Sequence, residues 1–354
     1  MRVAYYYNIP QRLARDHPEH NPYGTLLCEA LERRAVEVEF TMRFDADYLR
    51  QNHGRIQILH MNWLQPLYYH DDAPIMERQM DEFVRNLALA RELGYKLVWT
   101  AHNLYPHNRK HFEIDRKCRF EICRLATANI THCDSAAEEL QQQFGRSQNV
   151  FVIPHGNYVG VYSNQFTREQ ARTQLGVPDD AFAYGLYGNI RPYKGIEALI
   201  DTFRRLPNEG AWLLVTGGSR DTEYLEAIRR HVAEHPRIVL RTYYRLAPLD
   251  DLLLILNAAD VITLPFRDVT TSGSLMLALS MAKPIIAPAL GCLPMMADPK
   301  AGILYNPDEE EALYRAMSAI RTRDLGEASR LALASAEKFN WDKIAALTLE
   351  AYNA

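Results

Sequence analysis

The chain of 354 residues reads as an α/β protein of two similar domains, each a parallel sheet with helices on both faces. Three observations lead there. Short β-branched or aromatic runs alternate with longer stretches whose apolar residues recur at helical spacing. The alternation pauses in a stretch rich in Gly, Pro and polar residues, 154–180, and then restarts. The length also suits two domains of ordinary size better than one core.

In order, 2–7, 36–40, 56–61, 96–100, 129–132 and 150–153 read as strands, with helices over 25–34, 76–93 and 112–126 between them. The second series has strands at 181–187, 212–216, 238–241, 260–264 and 284–287. Its helices fall at 196–206, 224–233, 249–257 and 275–282. The expected domains are 1–165 and 166–338, with 339–354 as an amphipathic closing helix that packs back towards the first domain through Trp341, Ile344, Leu347 and Tyr352. Two Rossmann-like halves, their parallel sheets facing a central cleft, would bind ligands at the carboxyl ends of the strands.

Bulk properties exclude several classes. A formal net charge of −4 argues against a nucleic-acid partner, which needs concentrated positive charge. No apolar run approaches the roughly 18 to 20 residues of a membrane span. The N-terminus lacks the apolar core of a secretion signal. The five cysteines contain no CxxC pair and give no zinc spacing. A cytoplasmic protein is expected.

The sharpest local signal is Gly188-Asn189-Ile190-Arg191-Pro192-Tyr193-Lys194-Gly195, where the second domain's first strand ends. Gly188 allows close backbone approach, and Arg191 and Lys194 set two cations near one point. Fixed cations favour a departing diphosphate more in the transition state than in the ground state. Alone, the loop could equally be a solvated connection. Thr271-Ser272-Gly273-Ser274 opens an apolar helix directly after a strand, where free N–H groups and the helix dipole attract an anion. Paired with the basic loop of the same sheet, it makes a shared phosphate site the better reading than simple capping.

His102 and Asn103 follow the strand 96–100, His107 lies in the next loop, and His155-Gly156 opens the interdomain stretch. His102 could bond the donor sugar or carry a proton near neutral pH. Asn21, Tyr23 and Gly24 follow a polar loop and, with Asn103 and His107, are candidates to touch an acceptor. That loop carries Asp16 and Glu19, alternatives to His102 as a general base. Asp45-Ala46-Asp47 has a metal-chelating spacing but reads better as the cap of a short helix, and no GxGxxG occurs. Six basic residues (109, 110, 116, 117, 119, 124) against three acids (113, 115, 121) form either an anionic-lipid face or a solvated helix with its own ion pairs, the latter slightly preferred.

Taken together, Asn21-Pro-Tyr, Leu59-His-Met-Asn-Trp63, Thr100–His107, Pro154–Tyr158, Gly188–Gly195, Leu264-Pro-Phe-Arg with Thr271–Ser274, and Asn340-Trp-Asp resemble the GT-B glycosyltransferases of bacterial exopolysaccharide and glycolipid assembly, especially the xanthan-type β-mannosyltransferases. The resemblance implies a hexosyl transfer, mannosyl first, from a GDP- or UDP-sugar to a glycan or lipid-linked acceptor, with peripheral membrane contact. It implies that Arg191 and Lys194 hold the donor pyrophosphate, with N–H groups from Ser272, Gly273 and Ser274; Gly188, Asn189, Thr271, His155 and Gly156 are further donor-binding candidates. His102 would lie beside the donor sugar. Cations and a helix terminus would replace a metal, so neither metal nor cofactor is expected. The wider retaining clan carries two glutamates eight positions apart, and here those places fall at about Val269 and Leu277. Stereochemistry is therefore left open. So are two rivals, a sugar-nucleotide epimerase or hydrolase and a catalytically silent nucleotide-sugar binder.

Overall fold

The computed structural model describes residues 1–7, 21–106, 110–162, 165–207, 210–233 and 235–354. The chain divides into two compact units, Met1–Gly156 with Asn340–Ala354, and Asn157–Phe339.

In the first unit, β1 (Arg2–Tyr6), α1 (Tyr23–Glu32), β2 (Glu37–Thr41), α2 (Ala46–Asn52), β3 (Ile58–Met61) and α3 (Ala73–Glu92) are followed by β4 (Lys96–Thr100), α4 (Phe112–Leu125), β5 (Ala128–Thr131), α5 (Asp134–Phe144) and β6 (Val150–Val152). The six strands form one parallel sheet in the order β2-β1-β3-β4-β5-β6. Central strands of such a sheet are covered on both faces, which is why β4 reads Leu-Val-Trp without polar alternation. Tyr6, Leu59, Met61, Leu97 and Trp99 pack to one side. Val3, Tyr5, Ile58, Val98 and Ile130 pack to the other, against Trp341, Ile344 and Tyr352 of the closing helix.

That closing helix, Trp341–Asn353, is capped by Asn340. Polar ties hold it to the rest of the first unit. Arg33 pairs with Asp342 at 2.9 Å, the Tyr352 hydroxyl lies 2.6 Å from His60 Nδ1, and Lys96 Nζ donates to the carbonyls of Tyr352 and Ala354 at 3.1 and 3.0 Å. A cation at a helix C-terminus also meets the favourable end of the dipole.

The second unit repeats the plan through α6 (Arg168–Leu175), β7 (Phe182–Asn189), α7 (Ile196–Arg205), β8 (Ala211–Ser219), α8 (Thr222–Val232), β9 (Ile238–Tyr244), α9 (Leu249–Ala258), β10 (Val261–Thr263), α10 (Gly273–Ser280), β11 (Ile285–Pro288), α11 (Leu293–Met296), β12 (Gly302–Tyr305), α12 (Ala312–Ile320) and α13 (Leu325–Glu337). Its parallel sheet has the order β12-β11-β10-β7-β8-β9. The fully buried Arg172 ties the entry helix down. It pairs with Asp260 at 2.8 Å and donates to the carbonyls of Ala258, Pro178, Asp179 and Ala181.

The boundary corrects the sequence-based one. The chain leaves the first unit at Gly156, not after 165, because Asn157 donates to the carbonyls of Phe339 and Ala336 and the Tyr158 amide donates to Ser280 Oγ. Those bonds commit the polar stretch to the second unit before its first helix begins. The helical start at Asp45 behaves as expected: its carboxylate accepts from the Tyr48 amide at 2.8 Å.

Two glycines shape the loop after β7. Gly188 has φ +107°, and Gly195 has φ +67° with its α-carbon so near Pro265 that an added Cβ would sit 2.1 Å from the Pro265 carbonyl oxygen. Gly210 has a similar φ of +65° but open space around it. Gly195→Ala should therefore lower stability in urea unfolding by about 2–3 kcal/mol or more, and Gly210→Ala by only about 1 kcal/mol. Equal losses would contradict the steric account.

Candidate active site

The loop delivered by β7 closes on α10. Lys194 ends a single 3-10 turn, Pro192–Lys194, and is buried. Its Nζ donates to Ser274 Oγ at 3.0 Å and lies 4.8 Å from the centre of the Phe266 ring. No other hydrogen bond is made by this ammonium among the described residues, which leaves two of its three N–H groups available. Burial pushes its pKa down to about 8. A Cβ on Gly188 would lie 3.5 Å from Nζ and 3.3 Å from Ser274 Oγ, so the glycine keeps the space beside the ammonium clear.

Residue Ser272 caps α10, its Oγ accepting from the Leu275 amide at 3.0 Å while its carbonyl accepts from Met276. The amides of Gly273 and Ser274 have no partner among the described residues. One cation, two free amides and a bare glycine therefore stand at one place, a ready anion site. Arg191 and Asn189 are exposed on the same loop. Arg191 makes no side-chain bond among the described residues, and the Thr271 hydroxyl rests against Met296 Sδ at 3.9 Å. At the positions of the missing glutamates, Val269 and Leu277 are buried apolar side chains.

The first unit gathers histidines at the ends of β3, β4 and β5. His102 is buried: its Nε2 is 2.9 Å from Asn62 Oδ1, its Nδ1 is 2.9 Å from His132 Nε2, and His132 Nδ1 is 2.8 Å from the Ile153 carbonyl. Trp63 stacks on the His102 ring at 4.3 Å, and the buried Tyr23 meets it edge-on at 4.6 Å. These directions can be worked out. Ile153 offers only an acceptor, so His132 carries its proton on Nδ1 and, when neutral, accepts at Nε2 from His102. That leaves His102 Nε2 without a proton beside the Asn62 oxygen. Turning the Asn62 amide over repairs this contact but sets its oxygen against the Tyr6 carbonyl, to which Nδ2 otherwise donates at 3.3 Å. A neutral pair of rings is one proton short of satisfying its partners. Burial opposes supplying it, holding His102 well below the usual imidazole range and His132 at about 4.

Other sequence candidates fall around this cluster. His155 is buried, its ring 4.9 Å from Tyr23 and 5.8 Å from His132, and its Nδ1 is 2.7 Å from the Gly156 carbonyl. Gly156 lies against the Trp341 indole, which a Cβ would meet at 2.6 Å. Gly24 lies as tightly against the Tyr7 ring, and the Asn21 carbonyl accepts from the Tyr7 hydroxyl at 2.5 Å. Asn103 lines a pocket of about 340 Å³ together with Trp63 and His102. His107, Asp16 and Glu19 lie outside the described residues. Asn62 and His132 were missed as site residues by sequence reasoning, although both follow strand ends as His102 does. Of the basic helix, Arg116, Lys117, Arg119 and Arg124 each pair with a carboxylate, as does Lys110. Arg109 lies outside the described residues. Among the described residues no helix is long and apolar enough to cross a membrane.

Two repeated α/β units, one with an anion-ready turn after its first strand, make a fold suited to binding a nucleotide diphosphate, and comparison with known proteins gives the class. Residues 182–322 match the family described as Glycosyl transferases group 1, and residues 23–157 match Glycosyltransferase Family 4. The chain is a glycosyltransferase with the two domains of the GT-B fold. More particularly, it is similar to the GDP-mannose:glycolipid 4-beta-D-mannosyltransferase of Xanthomonas campestris pv. campestris, 27% identical over 343 residues that cover 94% of this chain and 88% of the relative. A D-inositol 3-phosphate glycosyltransferase of Corynebacterium glutamicum is 24% identical over 279 residues, 73% of this chain and 66% of that protein. Among solved structures, sucrose-phosphate synthase of Thermosynechococcus elongatus aligns with a TM-score of 0.74 at 18% identity, over 100% of this chain and 98% of that one. Anabaena HepE in complex with UDP gives 0.72 at 16%, covering 99% of each.

Buried neutral histidines set a pH dependence. His60 and His155 are held at about 3 and His132 at about 4, all by burial first. Unfolded, each titrates near 6.5, so below that pH the unfolded chain binds more protons and stability falls with falling pH. Each contributes up to about 1.4 kcal/mol per pH unit, down to its folded value. Urea midpoints should fall steeply between pH 6.5 and 4.5, and His60→Gln should make the decline shallower. A flat profile would mean that these rings titrate normally in the fold.

Proposed function

We propose that the chain transfers a hexosyl group, mannosyl first, from a nucleotide-diphosphate sugar to a glycan or lipid-linked acceptor, without a metal ion or other cofactor. The observation that carries this reading is the desolvated Lys194 ammonium, bonded to Ser274 beside the bare backbone of Gly188 and the free amides of Gly273 and Ser274. A diphosphate leaving group gathers charge as the glycosidic bond breaks, and fixed donors there lower the barrier because they need no reorganisation. Arg191, exposed and unpaired among the described residues on the same loop, would supply the second cation. A metal's role, neutralising that charge, falls to these groups.

The mannosyl and GDP choice is supported by the activity named for the Xanthomonas relative. UDP is the next candidate, since the HepE structure carries it. A lipid-linked acceptor would bring the protein to the inner face of the membrane. In the histidine cluster, His102 would lie beside the donor sugar, where its Nε2 exchanges Asn62 for a sugar hydroxyl.

A thermal-shift series with GDP, UDP, ADP and TDP tests the donor. The matching nucleotide should raise the melting temperature, since a ligand of the folded state alone stabilises it. Lys194→Met and Arg191→Ala should each lower turnover by about 10²-fold while far-UV dichroism stays unchanged. The charge on Lys194 is present below about pH 8 and lost above it. Nucleotide affinity should therefore weaken above pH 8, and Lys194→Arg, if it still binds, should remove that dependence. Unaltered turnover in both cation variants would end the assignment.

A further inference from the structure

Three neighbouring strands of the first sheet, β3, β4 and β5, are each followed within two residues by a polar side chain, Asn62, His102 and His132. These join in a line that runs from the Ile153 carbonyl to the Asn62 oxygen, and the line is one proton short. Where the shortfall falls decides whether His102 gives or takes a hydrogen bond at its far nitrogen.

Two neutral arrangements share the first bond, from His132 Nδ1–H to the Ile153 carbonyl. With its proton on Nδ1, His102 donates to His132 Nε2 at 2.9 Å and turns a bare Nε2 towards Asn62. With its proton on Nε2, it donates to Asn62 and leaves two ring lone pairs facing each other across the same 2.9 Å. The surroundings choose the first. His132 is fully buried, and its Nε2 has no donor but His102 among the described residues. The Asn62 oxygen, by contrast, already accepts from the Tyr5 hydroxyl at 3.2 Å, and its amide nitrogen is held by the Tyr6 carbonyl. Trp63, stacked on His102 with the rings 9° apart, and Tyr23, edge-on to it, keep the ring from turning out of the mismatch. The shortfall therefore settles on Nε2, at the end of the line where Asn62 and His102 both line the pocket of about 340 Å³.

We infer that His132 is a positioning residue. Through its bond to Nδ1 it holds His102 in the tautomer whose Nε2 is a bare acceptor, so that His102 takes a hydrogen bond from a sugar hydroxyl and gives none. The tautomer follows from the first unit alone, and only the naming of a sugar rests on the proposed function. The partner of a working histidine is often a carboxylate, which orients the ring and fixes its tautomer. A neutral imidazole anchored on a backbone carbonyl does the same here without adding a charge to a buried place. The arrangement is also selective. A hydroxyl supplies the missing proton, whereas a group that only accepts, such as fluorine, meets a second lone pair.

Long-range proton–nitrogen NMR on the full chain, labelled with nitrogen-15 at histidine and recorded at neutral pH, reads the tautomer of each ring. His102, assigned by the signals that vanish in His102→Gln, should show a protonated Nδ1 and a bare Nε2. In His132→Phe, which keeps a ring but offers no acceptor, the proton should move to Nε2. In His132→Gln, whose side-chain oxygen can accept in place of Nε2, the wild-type tautomer should persist. Binding is then measured for GDP-mannose and UDP-glucose and for analogues with one sugar hydroxyl at a time replaced by fluorine. For the nucleotide sugar that binds, one replacement should weaken wild-type affinity by about tenfold or more, and that discrimination should shrink to within about threefold in His132→Phe and survive in His132→Gln. A wild-type His102 protonated on Nε2, or a tautomer unmoved in His132→Phe, would overturn the inference. So would a His132→Phe variant that switches tautomer and still discriminates as the wild type does. The first reading needs no folded variant, so a His132→Phe chain that fails to fold leaves the inference open to refutation. The nucleotide melting shift is the separate control: its absence with every nucleotide removes the donor reading and leaves the tautomer standing, and its presence with the wrong tautomer does the reverse.

Discussion

A lysine ammonium taken out of water, with one hydroxyl to hold it, is the constraint around which the second unit is arranged. Lys194 spends most of its hydration against Phe266 and Tyr193 and recovers one hydrogen bond from Ser274. A charge in that position destabilises the empty fold and gains from any anion that arrives. The surrounding backbone follows from the need to reach it. Gly188 gives up its side chain, Gly195 turns with positive φ hard against Pro265, and Ser272 takes the third amide of α10 so that the first two stay open. Local strain and lost hydration are thus concentrated on one turn, which the continuous apolar strands of the second unit deliver.

The first unit keeps its charges differently. Burial keeps His60, His102, His132 and His155 neutral, yet the His132–His102–Asn62 chain has one acceptor too many for two neutral rings. Such a chain has a definite use: a proton arriving at His102 satisfies a contact that is otherwise mismatched, so its desolvation cost is partly offset. The Ile153 carbonyl fixes the order of donors from the far end and leaves the unprotonated nitrogen at Asn62, which lines the pocket with His102.

Much of this was legible in the sequence. Both sheets follow from buried runs such as Leu97-Val98-Trp99 and Leu213-Leu214-Val215, whose spacing allows little else. The loop Gly188–Gly195 was legible because glycines and cations at a strand end have few structural duties. What escaped notice has physical reasons. The helix α5 buries only Ala136, Leu140 and Phe144, and β12 is an edge strand with only Gly302 fully buried, so neither carries a strong period. His132 and Asn62 lie within or just beyond apolar strands and look like core residues until their partners are known. Arg119 was hidden among six basic residues. Only its spacing from Asp115, Cys118 and Ile122 on one helical face separates it from the solvated ones.

The two units also differ in charge balance, and the difference bears on the chemistry. In the second, the Lys194 cation has no carboxylate bonded to it among the described residues, and the free amides of α10 add positive potential. In the first, Arg119 is matched by Asp115, and burial holds His60, His102, His132 and His155 neutral. A nucleotide diphosphate needs the former, since its own charge must be neutralised as it leaves. The absence of glutamates at 269 and 277 fits the same economy. Valine and leucine there are buried apolar side chains that add no negative charge to the donor turn from those positions. Charge is therefore left uncompensated at the one turn where a phosphate would bind.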